Sequence, residues 1–158
     1  MFGTILIHVV FSFISSITFG VLCNVPRRSL IAGGIVGMIG WMGYWGLSSN
    51  GVGVFLSSLC CSLLLAYAGQ VCAHLFKKPL TVFFVPGLVP VVPGITFYEA
   101  FKKLLLNEYE QSFYVFLDVA YCAVGITCGL VIASIIFRFT VAPLFRMQNK
   151  LSICKKAG

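Results

Sequence analysis

Long apolar runs separated by short polar breaks organise this chain. The runs cover residues 4–22, 30–47, 52–75, 80–98 and 113–137. Each is close to the roughly 20 residues that cross a bilayer core as a helix. The breaks carry turn chemistry or positive charge: Asn24-Val25-Pro26-Arg27-Arg28, the uncharged Ser48-Ser49-Asn50-Gly51, and Lys77-Lys78. After the fourth run Phe97, Phe101, Leu104 and Leu105 form one helical stripe, with Glu99, Lys102 and Lys103 opposite. Residues 97–107 therefore read as a short amphipathic helix lying in the membrane interface. The expected fold is an all-α integral membrane protein with one membrane domain over residues 1–158. It has five transmembrane helices, the fourth broken by Pro and Gly, and a basic cytoplasmic tail over residues 138–158.

The fourth run departs from a plain span. Pro86, Pro90 and Pro93 fall within it together with Gly87 and Gly94. Each proline removes a backbone donor and crowds the preceding turn. At membrane depth the freed groups persist only where protein or a water-filled cavity satisfies them. Half-helices of this kind build substrate sites in secondary transporters, amide ends facing anions and carbonyl ends facing cations. The expected substrate pathway is Pro90, Pro93 and Gly94 shaping the break, with Thr96 and Tyr98 hydrogen-bonding a small polar solute. A proline kink filled by neighbouring helices is the plainer alternative.

Two runs carry small-residue faces. Gly33 and Gly37 in the second, and Gly125 and Gly129 in the fifth, are spaced for close approach of another helix. Trp41, Tyr44 and Trp45 form an aromatic belt toward the end of the second run.

Composition reinforces the membrane reading: 59% of residues are hydrophobic and only 9% charged, with mean hydropathy +1.02. A soluble domain has about 25% charged residues. The formal charge of +7 does not indicate nucleic acid, because the basic residues flank the apolar runs. Placing Arg27, Arg28, Lys77, Lys78 and the tail on one side leaves only Lys102 and Lys103 elsewhere. The positive-inside rule then puts the N-terminus outside and the C-terminus in the cytoplasm. The first run lacks a preceding basic region, so it is expected to remain as a span rather than be removed as a signal peptide. The seven cysteines have no disulfide or metal spacing and mostly fall in apolar runs, as packing residues.

Enzymatic chemistry has little to draw on. With two histidines and four acids, no nucleophile–base order, zinc motif or phosphate loop is present, and no cofactor or metal is implied. His8 reads as a helix-packing hydrogen bonder and His74 as a hydrated interfacial group. Asp118 is the one acid inside a run. About five residues in, it lies ~7–8 Å deep, as a coupling acid facing a cavity or as a hydrated group at the outer interface.

Val85-Pro86-Gly87-Leu88-Val89-Pro90-Val91-Val92-Pro93-Gly94-Ile95-Thr96-Phe97-Tyr98 resembles the P-x-x-PG-x-x-x-Y segment of the threonine/serine exporter family, small-subunit (YjjB-like) type. The match runs through Pro90, Pro93, Gly94 and Tyr98. Asn24-Val25-Pro26-Arg27-Arg28 resembles that family's NVP-x-R stretch. The lead-in Pro86-Gly87 has no place in the family pattern. The resemblance implies a bacterial inner-membrane component of a proton-coupled exporter that pairs with a larger homologous membrane subunit. A homo-oligomer is the alternative assembly. The implied substrates are threonine and serine, or small dicarboxylates such as succinate. A non-transporting membrane assembly subunit, held to a partner by its glycine faces, is the competing reading.

Overall fold

The computed structural model describes residues 2–140, and among them every regular element is helical. Helix α1 spans Phe2–Leu22, α2 Arg27–Ser49 and α3 Val54–Phe76. Helix α4, Thr81–Leu88, runs on into a 3-10 turn at Val89–Val91; α5 is Gly94–Leu105 and α6 Tyr109–Thr140. Four helices (α1, α2, α3 and α6) are long and apolar enough to cross a membrane, and α4 with its 3-10 turn and α5 form a pair bent by 44° that gives a fifth when taken as one span. The basic tail beyond Thr140 lies outside the described residues.

Polar punctuation ends the helices. Asn24, Lys77 and Asn107 each adopt a left-handed backbone, with φ of 55°, 52° and 63°. After each, the two capping amides fold back on the preceding turn: Val25 to the Gly20 carbonyl at 3.0 Å, Lys78 to Ala73 at 3.0 Å, and Glu108 to Lys103 at 3.0 Å. This paired closure satisfies carbonyls that a helix end leaves open. Asn adopts the left-handed region readily. Lys77 enters it because Pro79 follows two residues on and disfavours a helical Lys78. Where no such signal stands, the helices outrun the expected spans. Helix α2 begins at Arg27, and α6 extends from Tyr109 rather than from 113, since backbone hydrogen bonding does not stop at a change of side-chain polarity.

Helices α3 and α6 form the most extensive contact, and they run parallel. Gly125 of α6 meets Phe55 and Ser58 of α3, and Gly129 meets Leu59 and Ser62. Further along, Gln70 Nε2 donates to Ser134 Oγ at 3.3 Å, and His74 stacks on Phe137 with ring centroids 5.1 Å apart. This register decides the path of the fourth segment. The chain leaves α3 at its C-terminal end and enters α6 beyond the opposite end, so residues 77–108 traverse the bundle rather than fold back to the side they left.

Small side chains make the α3–α6 contact possible. Ser58 and Ser62 stand opposite Gly125 and Gly129, and both hydroxyls are turned onto α3 carbonyls, those of Val54 and Leu59. Polar groups are thereby satisfied while backbones approach closely. At the α1–α2 contact Gly37 of the expected pair makes the close approach together with Gly34, and Gly33 is buried without so near a neighbour. A side chain at Gly33 would meet nothing within 4 Å, whereas Gly34 lies against Phe13 and Ile17, and Gly37 against Ser16. Sequence spacing locates a small-residue stripe but not the angle at which the partner crosses it.

Candidate functional site

The break in the fourth segment is built by local rules. Pro86 lies inside α4 and is buried, yet does not end the helix. A side chain on Gly20 of α1 would come within 3.7 Å of its ring. The break falls instead at Val92 (φ −60°, ψ 125°) and Pro93 (φ −77°, ψ 54°). Val92 precedes a proline and is driven to an extended conformation. Pro86, Pro90 and Pro93 supply no amide, so the carbonyls of Val82, Pro86 and Val89 lose their usual i+4 donors. The Gly94 amide turns back to the Val92 carbonyl at 2.7 Å, and Phe97 opens α5 on the Pro93 carbonyl at 3.0 Å.

This placement corrects one boundary. The fourth span was expected over 80–98 and the amphipathic helix over 97–107. The bend at Val92–Pro93 instead puts Gly94, Thr96 and Tyr98 in the opening turns of α5. Pro90, Pro93 and Thr96 are half-buried, Gly94 is exposed, and Tyr98 is 68% exposed. The five expected pathway residues thus line one continuous stretch whose outer side, with Val92 and Ile95, is open at the surface of the chain.

Above the break, α5 packs on α6 and on little else. Phe97 and Phe101 meet Phe116 edge to face, at 5.9 and 5.4 Å between centroids. Ser112 Oγ donates to the Ala100 carbonyl at 2.8 Å, and Lys103 Nζ to Gln111 Oε1 at 3.2 Å. Ser112 lies about 20 Å along the α6 axis from Gly125. The α5–α6 hairpin therefore extends past the first residue of α3.

Asp118 sits at the root of this hairpin. It is exposed, and it follows Phe116 by two positions, about 200° around the helix. It therefore lies nearly opposite the face that α5 covers, in line with Cys122 and Gly125, and within electrostatic reach of Tyr44. The chain by itself does not bring Asp118 beside Thr96 and Tyr98.

Sequence reasoning missed the junction below the break. Gly37 of α2 and Gly87 of α4 touch backbone to backbone. A side chain at Gly87 would lie 3.3 Å from the Gly37 nitrogen, and one at Gly37 would run into Ser16 Oγ. Ser16 is fully buried at this crossing and its hydroxyl has no partner among the described residues. Gly87, within the proline run that prompted the pathway reading, was the available signal. Ser16, one serine among many in apolar helices, carried none. Elsewhere Trp41 Nε1 donates to His8 Nδ1 at 3.3 Å, so His8 joins α1 to α2. Among the described residues no cluster of His, Cys, Asp or Glu is arranged to hold a metal ion.

The sequence profile described as "Threonine/Serine exporter, ThrE" matches residues 8–136, which include every candidate residue above. No curated protein and no solved structure matches the chain.

Proposed function

Because the chain belongs to the threonine/serine exporter family, we propose that it is one membrane subunit of a secondary exporter of small polar metabolites, working with a larger homologous subunit. Its membrane-exporter role follows from the family; the substrates, coupling and partner are the proposal. The carrying observation is the bent fourth segment. It crosses the bundle, loses three regular carbonyl–amide bonds to proline, and leaves Gly94, Tyr98 and Val92 uncovered. A path along this segment needs a second wall, and a related membrane subunit supplies one. Threonine, serine or a small dicarboxylate would meet the Thr96 and Tyr98 hydroxyls beside the break. Proton coupling would fall to Asp118 in concert with groups of the partner. The protein would lie in the bacterial inner membrane with Arg27, Arg28, Lys77, Lys78 and Arg138 toward the cytoplasm, the N-terminus outside and the C-terminus inside.

The assembly-subunit reading loses support at Gly37, Gly125 and Gly129, whose close contacts lie within the chain. Efflux of preloaded threonine, serine and succinate from cells lacking the native genes tests the proposal, with this chain expressed alone and then with a larger family member. Efflux is expected only with both. Pro93→Ala and Tyr98→Phe should each lower it at unchanged membrane abundance. Unchanged flux in both variants would remove the pathway assignment.

A further inference from the structure

Both tryptophans of the chain, Trp41 and Trp45, stand against His8 of α1. Trp41 Nε1 donates to His8 Nδ1 at 3.3 Å, and the ring centroids of His8 and Trp45 are 5.1 Å apart. An imidazole that accepts at Nδ1 carries its one proton on Nε2 and is neutral, and an indole nitrogen can only donate. A second proton can enter only at Nδ1, where it sets two N–H groups against each other. The Trp41 bond is then lost, and with it a side-chain link between α1 and α2. The imidazolium keeps a partner in the Trp45 ring, within the roughly 6 Å over which an indole attracts a cation.

The surroundings carry little charge of their own. Helix α1 packs on α2, α4 and the 3-10 turn. Helix α4 and the turn have no titratable side chain, and α2 has Tyr44 here and Arg27 and Arg28 at its other end. Arg28 is about 20 Å from Trp41 along the helix. Tyr44 stacks on Trp41 with centroids 5.7 Å apart, and on its far side Cys122, Cys61 and Asp118 lie within electrostatic reach. One aromatic cluster thus has an imidazole on one side and a carboxyl on the other. We propose that His8 is a proton-binding site of this chain, at which uptake of a proton exchanges the Trp41 hydrogen bond for the Trp45 ring and loosens α1 from α2. Histidine is the side chain whose charge changes between about pH 5 and 8. In the orientation proposed above, His8 lies about 9 Å below the outer end of α1. Its use in coupling, beside Asp118, rests on the exporter reading; the proton site does not.

The full chain in detergent is titrated from about pH 8 to 5 while its tryptophan emission is followed. A protonated imidazole quenches a neighbouring indole, and both indoles stand at this site, so emission should fall in one reversible step. His8→Gln keeps an acceptor for Trp41 but takes up no proton, and it should abolish the step. His74→Gln, at the other end of the bundle, should leave the step in place. Exchange of the imidazole C2 hydrogen, read by mass spectrometry on the peptide bearing His8, follows the same proton in the unmodified chain and should inflect at the same pH. No step in the wild type, a step that survives in His8→Gln, or C2 exchange without an inflection in that range would each overturn the site. None of these readouts needs a substrate, so their failure is distinct from failure of the exporter reading. In the efflux assay above, His8→Gln should lose the response of flux to external pH; a response equal to wild type would overturn the coupling use.

Discussion

Gly129→Ala places one methyl group in the tightest contact of the bundle. The new carbon would lie 2.6 Å from the Leu59 carbonyl oxygen and 3.1 Å from Ser62 Cβ, besides meeting the Ser62 hydroxyl. Carbon–oxygen contacts settle at about 3.3–3.6 Å, so the gap is short by about 0.7–1 Å. The serine can rotate, but the carbonyl belongs to the α3 backbone and moves only with the helix. Overpacking of this kind costs about 1–3 kcal/mol. Replacing glycine inside a helix also returns about 0.8–1 kcal/mol of propensity, which would mask part of the effect. Gly46→Ala provides the reference: it has the same propensity term, and nothing lies within 4 Å of the new carbon. The difference between the two variants isolates the steric cost, about 2 kcal/mol, or about 4–8 °C in Tm for a chain of this size. Thermal unfolding in detergent, followed by circular dichroism, measures it. Gly46→Ala should match or exceed wild type and Gly129→Ala should fall below it. Equal Tm values for the two variants would refute the close α3–α6 approach.

Ser112→Ala removes the bond to the Ala100 carbonyl and should cost about 1 kcal/mol. Because α5 rests mainly on α6, the loss should appear as faster hydrogen exchange in α5 with α3 unaffected. Gln70→Leu should be neutral or stabilising: Gln70 Oε1 is buried without a partner, and Ser134 keeps its bond to the Leu130 carbonyl. Its Tm should stay within about 2 °C of wild type or rise, whereas a clear drop would mean that the Gln70–Ser134 bond holds α3 to α6.

Much of this protein is determined by sequence alone, for physical reasons that are local. An apolar run of membrane length must close its backbone hydrogen bonds internally, so each run becomes a helix whatever its neighbours. The stops at Asn24, Lys77 and Asn107 and the break at Val92–Pro93 follow from which residues adopt the left-handed region and which residue precedes proline. The extension of α5 back to Gly94 was obscured because Ile95, Thr96 and Tyr98 suit either side of a break. Tertiary structure decided what is non-local. The parallel register of α3 and α6 makes the fourth segment traverse the bundle, a fact about two helices with thirty-two residues between them. Small-residue spacing marked the stripe on α2, but the crossing angle of α1 selected Gly34 and Gly37 over Gly33. Helical phase carried Asp118 away from α5, and three helices had to meet before Ser16 became a buried, unpartnered hydroxyl. Such features depend on where one element stands against another, and no run of residues specifies that by itself.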